Sequence, residues 1–174
     1  APFDADAMWE SWTTLRSFAV AASLGAIYDD PARRENLKPA AQWEVARGQG
    51  YGASDIQRAS SIRSDWFRVA MTAFDRVDVL VLPSAQVWPF DVQQEHPTEI
   101  EGWDMDSYHR WMQVVVPASL IGLPVVNVPA GFSEDGLPLG LQLIGKRGSD
   151  ARLLQLAEDW HRATGWPQAH PPKL

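Results

Sequence analysis

Apolar positions recur every three to four residues over 7–28, at Met8, Trp9, Trp12, Leu15, Phe18, Ala19, Ala22, Leu24 and Ile27. That spacing predicts an amphipathic helix, with Asp4 and Asp6 as N-cap candidates. Asp30-Pro31 ends it, and Pro31 and Pro39 each stand where a short helix can begin, the second running to about Arg47 before a turn over 48–52. Ser54-Asp-Ile-Gln57 has the form of a capping box. Behind it, Ile56, Ala59, Ile62, Trp66, Val69, Ala70, Ala73 and Val77 share one stripe, so a long helix is predicted over about 55–76. The apolar run 77–82, closed by Pro83, suits a strand covered on both faces. Residues 84–106 are polar and aromatic, with Pro89, Pro97 and Gly102. This stretch is too long for an idle connection and reads as a lid, a binding loop or a poorly ordered segment. Residues 108–121 look helical, with a break expected at Pro117. Two more strands follow, 123–129 and 137–144, joined through Asp135-Gly136 by a link short enough for a hairpin. Asp150 is placed as the cap of a last helix bearing Leu153, Leu154, Ala157 and Trp160 and ending at Gly165.

The length of 174 residues suits one domain or part of a larger one. With no cysteine, disulfides, thiolate nucleophiles and zinc ribbons are excluded, which fits a reducing compartment and a cytoplasmic location. The net charge of -7 argues against a nucleic-acid partner, because neutralising phosphates needs a surplus of Lys and Arg. Hydrophobic residues at 45% and charged ones at 21% argue against disorder. No uninterrupted apolar stretch of about 18 residues exists, so no membrane span is expected. The chain begins at Ala1, without Met and with an acidic stretch, so Ala1 is expected to be a cut end.

Among motifs with a known mechanism, G-x-S-x-G, H-E-x-x-H, the Walker loop and the dinucleotide fingerprint are missing. Gly48, Gly50 and Gly52 follow a helix where a dinucleotide site would follow a strand, and read as a turn. His96, His109, His161 and His170 are scattered, read as surface or loop residues, and neither a metal nor a cofactor is expected. Ser84 follows a strand end, where active-site residues of α/β proteins gather, and Ser119 precedes Gly122; neither has a local base. Of the nine tryptophans, Trp9, Trp12, Trp66 and Trp160 fall on helix stripes and read as core. Trp88 and Trp103 lie in the irregular stretch, as suited to a pocket as to packing.

Four segments occur in a distinctive order: Arg76-Val-Asp-Val-Leu-Val-Leu-Pro-Ser84, Pro117-Ala-Ser-Leu-Ile-Gly-Leu-Pro-Val-Val-Asn-Val-Pro-Ala-Gly131, Asp135-Gly-Leu-Pro-Leu-Gly-Leu-Gln-Leu-Ile-Gly145 and Asp150-Ala-Arg-Leu-Leu154. The set resembles the C-terminal part of the amidase signature family over about 33–160. The resemblance implies an α/β fold with a mixed sheet flanked by helices. It also implies hydrolysis or transfer of a carboxamide by a serine, a cis-linked second serine and a lysine. The family's Gly-rich serine stretch and its lysine belong to the N-terminal part of family chains. Here the lysines are Lys38, Lys146 and Lys173, and the one Ser-Ser pair, Ser60-Ser61, sits in a predicted helix.

The chain is therefore expected to be a single-domain C-terminal fragment, 1–174, with no catalytic residue of its own. It would supply the floor and wall of a pocket for a small-molecule amide: Ser84, Gln86, Trp88, Trp103 and Met112. Met112 stands about where the glutamyl-tRNA amidotransferase branch has an acidic residue that recognises an amino group, which favours an apolar or aromatic substrate. The family's usual Asn is Ser119. Partners expected are the N-terminal part of the same amidase and further copies in a homo-oligomer. A binding or assembly fragment, self-associating through an exposed sheet edge and apolar helix faces, is the alternative. A self-contained hydrolase using Ser84 with His96 or His109 is a third reading.

Overall fold

The structure is a computed structural model that describes residues 3–171; the expected cut end at Ala1, and Lys173, lie outside the described residues. The chain divides into two compact units at residue 70.

In the first unit, α1 (Ala5–Tyr28) begins where Asp4 accepts from the N–H groups of Asp6 (2.9 Å) and Ala7 (3.3 Å). Its buried face departs from the predicted stripe. Met8 and Trp9 are buried, but so are Ser11, Thr13, Thr14 and Ser17, while Phe18 is 46% exposed. The reason is α3 (Pro39–Gln49), which crosses so closely that a Cβ on Gly48 would lie 2.0 Å from the Ser17 carbonyl oxygen. Only small side chains fit such a crossing, and their hydroxyls bond backbone: Ser11 to the Ala59 carbonyl (2.7 Å) and Thr13 to that of Trp9 (2.9 Å). Gly48 therefore belongs to α3 and not to the predicted turn. Between α1 and α3 lies α2 (Pro31–Arg34), capped by Asp30. The last helix of this unit, α4 (Ala53–Ala73), starts earlier than the capping box implied. Asp55 accepts the Gly52 N–H at 2.9 Å, so Gly52 takes the cap position and Ser54 falls in the first turn.

The second unit contains β1 (Leu80–Pro83), β2 (Glu99–Ile100), β3 (Trp103–Asp104), a 3₁₀ helix (Arg110–Val115), α5 (Val116–Ser119), β4 (Val125–Phe132), β5 (Pro138–Ile144), α6 (Asp150–Thr164) and α7 (Trp166–Ala169). The main sheet has the order β1-β5-β4 with both pairings antiparallel. Residues in register share a face. Leu80, Leu82 and Ile144 accordingly pack against Met71, Phe74, Ala118 and Leu123. On the other face Val126, Val128, Leu141 and Leu143 meet Leu153, Leu156, Ala157 and Trp160 of α6. Helical residues thus cover one face over β1 and β5 and the other over β4 and β5.

Several expectations are corrected here. β1 is not covered on both faces: its residues alternate half-buried and exposed, and Val81 is 50% exposed, because an outer strand has one neighbour only. The stretch 84–106 contains the β2–β3 hairpin, whose central residues Glu101 (φ 51°) and Gly102 (φ 80°) both adopt the left-handed conformation a type I′ turn requires. Pro117 does not break a helix but lies in the first turn of α5, where a missing N–H costs nothing. Ser149, not Asp150, takes the cap position of α6, while Gly165 (φ 60°) closes the helix as predicted. Leu154 is 66% exposed rather than core, and His109 is buried rather than a surface residue. Among the described residues no helix is long and apolar enough to cross a membrane.

Candidate functional site

The end of β1 carries the site because two strands, β1 and β5, and the 3₁₀ helix are tied together there. The Ser84 N–H donates to the Gly140 carbonyl at 2.9 Å, continuing the β1–β5 pairing past Pro83. On β5, the buried Gln142 donates through Nε2 to the carbonyls of Pro83 (2.7 Å) and Val114 (3.4 Å). The Val114 N–H in turn donates to Gln86 Oε1 at 2.8 Å. The two glutamines grip one residue of the 3₁₀ helix from either end and fasten it to the strand.

Beside this junction opens a cavity of about 240 Å³, lined by Ser84, Val87, Trp88, Phe90, Trp111 and Gly140 among others. Phe90 meets Trp111 edge-on, centroids 5.4 Å apart. The Trp111 indole N–H is buried and has no hydrogen-bond partner among the described residues. Among the described residues no charged side chain lines the cavity, whose walls are apolar and aromatic. A second cavity, about 280 Å³, lies between β4 and α6.

Of the residues singled out from sequence, Ser84 and Trp88 line the first cavity. Gln86 is exposed and holds Val114. Met112 is half-buried on the 3₁₀ helix, and Trp103 is 76% exposed on β3; neither lines the cavity. Phe90, Trp111, Gly140 and Gln142 were not anticipated. Gly140 and Gln142 stood inside the third sequence segment, and the period-two alternation of a strand puts them on one face.

Among the described residues, Ser84 Oγ makes no hydrogen bond with a histidine. Ser61 Oγ donates within α4 to the Gln57 carbonyl at 3.0 Å. The Lys146 ammonium lies 4.0 Å from Asp75, and Lys38 precedes α3. No group of three His, Asp or Glu able to hold a metal occurs among the described residues.

The Amidase family model matches residues 13–154. The chain belongs to the amidase signature family. It is 33% identical over 129 residues to a fatty acid amide hydrolase of Medicago truncatula, covering 73% of this chain and 21% of that protein. To a glutamyl-tRNA(Gln) amidotransferase chain of Nostoc sp. it is 35% identical over 126 residues, covering 72% and 25%. The chain thus spans about a quarter of the length of these curated relatives. Among solved structures, a bacterial aryl acylamidase of the family superposes with a TM-score of 0.81 at 24% identity, covering 96% of this chain and 36% of that one. The 6-aminohexanoate cyclic dimer hydrolase does so with 0.78 at 19% identity, covering 95% and 36%. Both share the fold of helices packed on strands.

Proposed function

We propose that this chain forms the substrate-pocket part of an amidase that hydrolyses linear carboxamides to a carboxylic acid and an amine or ammonia. The serine–serine–lysine machinery is assigned to an N-terminal part of the same protein, outside residues 1–174. The observation that carries this is the uncharged, aromatic-walled cavity at the end of β1, in a chain of the amidase signature family. Such walls favour an aromatic or apolar group on the substrate. Gln86 acts by positioning the 3₁₀ helix, and Trp103 is assigned to an outer contact.

Amide hydrolysis requires an activated nucleophile, a proton donor for the leaving amine and aligned donors at the oxyanion, none of which is assigned to this chain. The test is to assay acetanilide and benzamide with the complete polypeptide and with residues 1–174 alone. Turnover by the first and none by the second is the expected result. Turnover by residues 1–174 alone would overturn the division of labour, and none by the complete protein would overturn the amidase reading.

A second reading, self-association of this segment, is favoured by the sheet itself. β1 and β4 are outer strands with one neighbour each, and Val81 (50%) and Val125 (41%) on them are exposed.

A further inference from the structure

Three walls bound the cavity at the end of β1: the loop over 84–90, Trp111 of the 3₁₀ helix, and the start of β5 at 138–140. A hydrogen bond joins each pair of walls. The Ser84 N–H donates to the Gly140 carbonyl at 2.9 Å and ties the loop to β5. Gln142, two residues further along β5, donates through Nε2 to the Val114 carbonyl at 3.4 Å and ties β5 to the 3₁₀ helix. Its shorter bond, 2.7 Å to the Pro83 carbonyl, holds the root of the loop as well. Gln86, inside the loop, accepts the Val114 N–H at 2.8 Å through Oε1 and closes the ring of ties. Neither glutamine lines the cavity. Both act on it through Val114, because a 3₁₀ helix has three residues per turn and Trp111 stands on the same face one turn away. Holding Val114 by its N–H and its carbonyl therefore fixes where the Trp111 indole lies relative to Trp88 and Phe90.

We propose that Gln86 and Gln142 are positioning residues that set the width of this slot, and through it the preference for an aromatic ring over an open-chain group, an inference that rests on the amidase reading above. Width matters because dispersion falls off steeply: a gap of about 0.5–1 Å forfeits a quarter to a half of each contact. A rigid ring cannot close such a gap, whereas an alkyl chain rotates to fill it. Ring binding is thus the property most exposed to a loosened wall. The polarity of the two ties is opposite, and this separates them chemically. At Gln86 the side chain accepts, so a carboxylate can replace it; at Gln142 the side chain donates to two carbonyls, and a carboxylate there would turn acceptor oxygens toward acceptor oxygens. Loss of stability alone lowers the amount of folded protein and scales every substrate alike. A wider slot changes the ratio between substrates.

The experiment uses the complete polypeptide, with acetanilide and butyramide as substrates and toluene as a probe of the slot that needs no chemistry, its binding titrated by saturation-transfer NMR. Gln86→Ala and Gln142→Met are each expected to raise the KM for acetanilide about tenfold and to weaken toluene binding by the same factor, while kcat and the KM for butyramide stay within about twofold. Gln86→Glu is expected to restore both readouts, and Gln142→Glu to lose them as Gln142→Met does. If circular dichroism shows the Gln142 variants unfolded, the exposed position decides through Gln86→Ala and its rescue by Gln86→Glu. An acetanilide to butyramide ratio of kcat/KM unmoved in Gln86→Ala, or no rescue by Gln86→Glu, overturns the positioning role. A protein that hydrolyses acetanilide with that ratio unmoved removes this assignment and leaves the amidase reading standing. One whose toluene binding responds as described, yet which hydrolyses no amide, removes the amidase reading and leaves the assignment.

Discussion

Gly48 and Gln142 show how much of each unit hangs on single side chains. A methyl group on Gly48 would stand 2.0 Å from Ser17 O and 2.7 Å from Ala21 Cβ, and the first of these is backbone that cannot rotate away. Gly48→Ala should therefore force α1 and α3 apart and cost about 3 kcal/mol, read as a lowered urea midpoint. Gln142 is 5% exposed and satisfies two carbonyls at once. Removing its amide should cost about 2 kcal/mol, whereas Gln86→Ala, at an exposed position, should cost under about 1 kcal/mol in the same titration. Equal losses would mean that burial does not set the worth of these bonds. Neither role is visible along the chain. Gly48 reads as one of three turn glycines, and Gln142 as one polar residue in an apolar strand, until tertiary contacts supply Ser17 and the two carbonyls.

At the scale of elements, local signals set what forms, and neighbours set where it ends. Asp4, Pro31, Pro39 and Gly165 mark helix ends as predicted, because each acts on the backbone beside it. The β2–β3 hairpin has no clear sequence signal because Glu101-Gly102 is not a common turn pair, and Glu101 holds φ 51° at a steric cost that Asn bears more easily. Glu101→Asn should accordingly stabilise the hairpin by about 0.5 kcal/mol, measured as slower amide exchange at 99–104, and faster exchange there would contradict the assigned turn. The apolar run before Pro83 is less buried than its pattern predicts for a different reason. Hydrophobicity along a strand records what can be buried, while the number of neighbouring strands decides what is, and β1 has one.

For the whole molecule the exposed sheet margins carry the consequence. Residues 1–174 alone should associate at tens of micromolar, and Val81→Lys should lower the mass seen by light scattering, since a lysine on an outer strand opposes edge pairing. A monomer at every concentration would remove the second reading. The sequence alone determined the order of the long helices and of β1, β4 and β5, the β4–β5 hairpin and membership of the amidase signature family, because these follow from local periodicity and from motifs that survive in linear order. The tertiary structure alone decided the small polar face of α1 and the grip of Gln86 and Gln142 on Val114. Those depend on distances between segments far apart in the chain, and no local preference encodes how closely two elements approach.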